Sequence, residues 1–488
     1  MAMRRCDTVD LAETGPCLCH SPGFARLNAL VEAKFSRRSF LAGASAILGG
    51  ASLYLTEASA AIPAPPAAPV VFRNIQLFDG VSKTLQSGLQ LVVKDNLIDT
   101  IEQAGAPLPD GATIIDGHGG TLMPGLIDAH WHSMMAALPM SELMTADIGY
   151  ITLIAAEEAH RTLLRGFTSI RDMAGPSFAL KRAIDSGLNA GPRIWPSGAM
   201  ISQTSGHGDF RFPYEIPSPP AAPLSHSETL GADMIADGVD QVLKRVREQL
   251  MLGASQIKLA AGGGVTSHYD PLDVSQYTEA EFRAAVACAE NWHTYVTVHA
   301  YTSRAIQTAV HSGVRCIEHG QLMDEATARL LAEKDVWLCL QAFLDNQFAN
   351  PHPEGSKNRA KQLAMFAGTD RAYQLARHYK IKTAWGTDIL FNPAMTKNQG
   401  AILTTLTRWY GNADILRMAT GTNGTLLQLC GPRSPYPGKI GVLEKGAYAD
   451  LLLVDGNPLT DITLIANPDR NFKIIMKDGR FYKNTLAA

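Results

Sequence analysis

Between residues 126 and 388 the chain alternates apolar, strand-like runs with helical stretches. The strand candidates are Leu126–His132, Thr168–Asp172, Arg193–Ser197, Gln256–Ala260, Tyr295–His299, Cys316–His319, Trp337–Gln341 and Thr383–Asp388. Ile151–Arg165, Gly238–Met251, Glu279–Trp292 and Ser303–His311 read as helices among them. Strands that alternate with helices build a parallel sheet. Eight such units suit a closed (β/α)8, TIM-like barrel better than an open sheet. That choice also says where chemistry can sit, because such barrels present their reactive groups at the C-terminal strand ends.

The strand ends bear this out. The first candidate ends in His130-Trp131-His132. Side chains on a strand alternate faces, so the two histidines point one way and Trp131 the other, into the packing. Two imidazoles side by side at a buried strand end are a ready pair of metal ligands. The fourth candidate carries Lys258, the fifth ends at His299, the sixth at His319 and the eighth at Asp388. Each has a plain explanation alone: a polar strand end, a snorkelling lysine, a helix N-cap. Together they would meet at one mouth of the barrel.

The flanks differ. Val70–Gly80, Leu89–Asp95 and Ile98–Ile101 read as short strands, and Ala449–Gly456 and Phe472–Gly479 answer them at the other end. Both chain ends are expected to build one small β-sandwich. The expected division is a leader over 1–60, sandwich strands over 61–121, the barrel over 122–430 and the remaining sandwich strands over 431–488. A net charge of -3 gives no sign of a nucleic-acid partner.

The leader rests on Arg37-Arg38, an apolar run of small residues over 41–55, and Ala58-Ser59-Ala60 as a cleavage site. The paired arginines resemble a twin-arginine signal. The expectation is an exported protein, periplasmic or extracellular, with no stable membrane span once the leader is removed, since the run is short and glycine-rich. Cys288, Cys316, Cys339 and Cys430 are widely spaced, with no Cys-x-x-Cys pair, and read as buried thiols.

With Pro124-Gly125-Leu126-Ile127-Asp128-Ala129-His130-Trp131-His132, the strand-borne lysine, the two later histidines, the last aspartate and Gly446-Ala447-Tyr448-Ala449-Asp450-Leu451, the chain resembles the amidohydrolase superfamily over nearly all of its length after the leader. The resemblance implies two divalent metal ions, most often zinc. His130 and His132 would hold one with Asp388. His299 and His319 would hold the other, and Lys258 would bridge both as a carbamate, since an ammonium has no lone pair to donate. Two such metals lower the pKa of a bridging water, and Asp388 would act as general base and then acid.

Two glycine-rich segments at the same mouth, Ser202–Asp209 and Ala261–Pro271, resemble the branch holding Xaa-Pro-type dipeptidases, N-acyl-amino-acid hydrolases and bacterial ochratoxin-degrading enzymes. By that resemblance His207 and Tyr269 would hold the substrate's carbonyl and carboxylate. Phe210, Phe212 and Tyr214, then Phe343 and Leu344, then Ile389, Leu390 and Phe391, would either line an apolar pocket or cover the rim. The expected substrate is a small amide: an N-acyl amino acid or dipeptide with a free carboxylate and a hydrophobic C-terminal side, ochratoxin A being a plausible case. The resemblance also implies a homo-oligomer. The other readings are an Xaa-Pro dipeptidase, an imidazolonepropionase-like cyclic amidohydrolase or a lactonase, and, from a different class, a non-catalytic scaffold that has lost its metals.

Overall fold

In the computed structural model, which describes residues 62–218 and 222–486, each of the eight candidate runs contains a strand. They are β1 (Leu126–Trp131), β2 (Phe167–Asp172), β3 (Arg193–Pro196), β4 (Ile257–Ala260), β5 (Val296–Thr302), β6 (Cys316–Leu322), β7 (Trp337–Leu340) and β8 (Thr383–Trp385). β1 is buried at all six positions, as a strand covered on both faces must be.

β1, β2 and β3 pair in parallel. A second parallel sheet runs Asp233–Ile235, Met200–Ser202, β4, β5, β6, β7, β8. Single backbone bonds link the two sheets at both ends. The Asp388 amide donates to the His130 carbonyl at 2.8 Å, and the Ser255 amide to the Pro196 carbonyl at 2.8 Å.

The third candidate forms nearly as expected, but it is followed by a further strand that was not. β3 stops at Pro196 and the chain resumes as Met200–Ser202. Gly198 makes the break at φ +74°, where an added Cβ would lie 2.3 Å from Gln249 Oε1. That oxygen accepts from the Ala199 amide at 3.0 Å, so the kink is tied to the helix outside it.

The helices follow from their caps and faces. Ile148–Leu164 begins where Asp147 accepts from the Tyr150 amide, and Lys357–His378 where Ser356 accepts from the Arg359 amide. Val239–Leu252 ends at Gly253, which takes the left-handed conformation at φ +102°. Ser303–His311 buries Ala305, Ile306, Ala309 and Val310, one stripe of an amphipathic helix.

Segments from both sides of the eight strands share a sheet, and its N-terminal member paired to the C-terminal strands, Thr121–Pro124, was not among the expected flanking strands. Leu451–Val454 pairs antiparallel with Thr121–Pro124 on one side and Phe472–Lys477 on the other. A four-stranded sheet of residues 70–116 lies beside it, and Phe72, Leu91 and Ile98 join Leu122, Leu453 and Ile474 in one apolar core. Trp131 is buried in the main core, away from the histidine cluster. Cys288, Cys316, Cys339 and Cys430 are free and buried. Among the described residues, no helix is long and apolar enough to cross a membrane. The leader expected over 1–60 lies outside the described residues.

Candidate metal centre and substrate cavity

His130, His132, Lys258, His299, His319 and Asp388 all face one cavity. Asp388 Oδ1 lies 3.0 Å from His132 Nε2 and 3.3 Å from His130 Nε2. Its Oδ2 is 4.0 Å from His319 Nδ1. The His130 and His319 rings are centred 5.0 Å apart, and those of His299 and His319 4.5 Å apart. One ligand atom each from His130, His319 and Asp388 falls within a 4.8 Å group, the spacing of donors around a cation.

The partners behind three of these rings fix which nitrogen faces inward. His130 Nδ1 donates to Glu318 Oε2 at 2.8 Å, leaving Nε2 a lone pair. His299 Nε2 donates to the Gly263 carbonyl at 3.2 Å, and His319 Nδ1 to Gln341 Oε1 at 2.7 Å. Each acceptor can only accept, so each ring, in its neutral form, carries its bare nitrogen on the other side, the form that ligates metal.

Glu318 is itself held. Arg171 Nη2 donates to both of its oxygens at 2.7 and 2.8 Å, and Thr297 Oγ1 donates at 2.5 Å. His130, Glu318 and Cys339 form a second group with ligand-like spacing. The Arg171 guanidinium already supplies the positive charge there, so that group is a support for His130.

Electrostatics agree with a cation-seeking site. Burial pushes the Asp388 carboxyl up, but His130, His132 and His319 outweigh it and hold it well below the usual carboxylate range. Burial keeps His299 and His319 neutral. At His132 burial also prevails, whereas at His130 the Asp388 and Glu318 carboxylates overcome it and raise the pKa. Burial lowers the Lys258 pKa below its usual range, with Glu318 and Asp388 opposing it.

Two of the cluster residues sit in strained backbone. His319 has φ +82° and Asp388 φ +54°, the left-handed region that non-glycine residues rarely adopt. At His319 this breaks the strand alternation, and consecutive Glu318 and His319 both reach His130. Such strain costs about 1–3 kcal/mol per residue and gathers at functional sites.

The rest of the cavity wall is largely apolar. Phe210, Phe343, Leu344, Ile389, Leu390 and Phe391 line it, joined by Phe348, Met365 and Phe366, which the sequence did not single out. Phe212 and Tyr214 do not reach it; they stack on each other at 5.4 Å, with Tyr214 82% exposed.

His207 lines the cavity and stacks on His299 with centroids 3.9 Å apart. Its pKa falls to about 4, mainly through burial. Tyr269 is placed differently: its hydroxyl donates to the Arg211 carbonyl at 2.7 Å, and it is not part of the cavity wall.

Residues 121–481 match the model of the amidohydrolase family. The chain belongs to that family. It is 30% identical over 390 residues to an ochratoxinase of Aspergillus niger, spanning 74% of this chain and 75% of the relative. The crystal structure of an amidohydrolase superposes with a TM-score of 0.78 at 34% identity, covering 86% of this chain and 99% of the other. That of a prolidase complexed with N-methylphosphonate-L-proline superposes with a TM-score of 0.76 at 33% identity, covering 86% and 100%. This family member is therefore an enzyme, a hydrolase of amide bonds, from the branch that includes ochratoxinase and Xaa-Pro dipeptidases.

Proposed function

We propose that the chain is a metal-dependent hydrolase of N-acyl amino acids or dipeptides with a free carboxylate and a hydrophobic C-terminal side, ochratoxin A among them. The single observation that carries this reading is the convergence of six ligand-type side chains on a cavity whose remaining wall is mostly apolar. We also read the eight strands as a closed (β/α)8 barrel and the flanking sheets as a sandwich built from both ends.

The donor set fits divalent metal: His130, His132 and Asp388 would hold one ion, His299 and His319 a second, and Lys258, as a carbamate, would serve as a further ligand. Metal bound there would lower the pKa of a bound water and polarise the scissile carbonyl. The chain's own groups do the rest. Glu318 and Gln341 orient His130 and His319, and Gly263 orients His299. Asp388, held ionised, is placed to take a proton at Oδ1 or Oδ2 and return it to the leaving nitrogen. His207 holds the substrate's carbonyl or carboxylate. The apolar wall takes the amino acid side chain and excludes water.

A Lys258→Ala protein is expected to bind about half the metal of the parent, because a ligand that would serve both ions is lost. Metal content per chain, with and without bicarbonate, checks this. Unchanged content would remove Lys258 from the site.

Substrate class is tested by a panel of N-acetyl-L-phenylalanine, ochratoxin A, leucyl-proline and a lactone. The reading expects phenylalanine release at the highest kcat/KM. The prolidase likeness supports a second reading, and a preference for leucyl-proline would favour it. Turnover of the lactone alone would sink the amide reading.

A further inference from the structure

The segment 261–270 seats His207, yet it has neither helix nor extended strand to shape it. His207 Nδ1 lies 2.8 Å from Ser267 Oγ and 3.8 Å from Asp270 Oδ2. Gly264 admits the ring, since a Cβ there would fall 1.8 Å from His207 Nδ1.

The segment is held from outside, by the first turns of the helix Lys357–His378. Lys361 Nζ donates to the carbonyls of Gly264, Ser267 and Asp270 at 2.8, 2.9 and 2.8 Å. An ammonium has three protons, and all three go to this one loop. Asn358 Nδ2 adds a fourth bond, to the Val265 carbonyl at 2.7 Å. The charge is balanced within the loop: Asp270 Oδ1 lies 3.9 Å from Nζ, and Asp270 Oδ2 accepts from the Gly264 amide at 2.7 Å. One turn further on, the same helix contributes Met365 and Phe366 to the apolar wall.

We propose that Lys361 is a positioning residue for substrate binding. By gathering three carbonyls it fixes Ser267 and Asp270, and through them the His207 imidazole, so that Nε2 is presented to the substrate. Lys361 touches no reacting atom. The helix thereby ties the apolar wall and the polar anchor into one unit. This inference rests on the reading that His207 holds the substrate.

A double-mutant cycle on the metal-loaded full chain tests it, with N-acetyl-L-phenylalanine as the probe. Lys361→Met is expected to raise KM roughly tenfold with kcat changed less than about threefold, the mark of lost uniform binding. In a His207→Ala background the same substitution should add nothing to KM, because the two act in series. A KM that rises with His207→Ala but not with Lys361→Met would overturn the inference alone. So would an equal effect of Lys361→Met in both backgrounds. If His207→Ala itself leaves KM unchanged, the reading of His207 fails and takes the inference with it. Lys361→Gln, which keeps part of the donor set, runs through the same cycle should Lys361→Met not fold.

Discussion

An Asp388→Asn protein is expected to lose about 10²- to 10⁴-fold in kcat, the usual contribution of a positioned proton carrier, while keeping most of its metal. The expectation comes from what asparagine preserves and what it removes. Asparagine tolerates the left-handed backbone that Asp388 adopts at φ +54°. Its amide oxygen can still sit opposite His130 and His132, where Asp388 Oδ1 lies at 3.3 and 3.0 Å. It cannot accept and return a proton. The other cavity-facing donors, including Lys258, His299 and His319, are untouched. Steady-state kinetics beside metal analysis separates the two effects. Full turnover by the variant would remove Asp388 from the proton-transfer role.

The second large effect is on stability. Arg171 and Glu318 are both fully buried. Arg171 also donates through Nε to the Ala129 carbonyl at 2.6 Å, next to His130. Burial alone would push the Glu318 carboxyl up; Arg171, with help from His130, keeps it well below the usual range. Arg171→Met leaves that carboxylate in the core without its cation. Breaking a buried pair in this way costs about 3–5 kcal/mol. The Arg171→Met/Glu318→Gln protein removes both charges and should recover a large part of the loss, although His130 then loses its carboxylate partner. Denaturant unfolding of the metal-free proteins measures both. A double variant as unstable as the sum of Arg171→Met and Glu318→Gln measured singly would mean that the pair is not coupled.

The cluster was legible because strand geometry forces it. His130 and His132 share a face by period two, and the later candidates sit on the fourth, fifth and sixth strands and just past the eighth. The supports behind them were hidden by the same logic. Strict alternation puts Glu318 and His319 on opposite faces, and only the positive φ of His319 lets both reach His130. A usable signal was present nonetheless: Arg171 and Glu318 are opposite charges inside apolar strands, and a buried charge needs a partner. Gln341 ends the seventh candidate strand, but nothing local shows that it faces His319.

Loop residues were less readable. Tyr269 is only two residues beyond Ser267, yet its hydroxyl turns to Arg211, while Ser267 meets His207. Lys361 is nearly a hundred residues from the loop it gathers. No periodicity reports such contacts. Phe210 and Phe212 are likewise two residues apart, and only Phe210 reaches the cavity.

The central claim is that the converging side chains hold metal and that the metal-loaded site cleaves amides. Stripping the purified protein with a chelator and titrating zinc back, while following phenylalanine release from N-acetyl-L-phenylalanine, tests it most directly. The account predicts about two equivalents of metal per chain at saturation, with activity absent before addition and restored along the titration. Binding of less than about one equivalent, with no gain in activity on adding metal, would contradict it and leave the chain a scaffold with the fold alone.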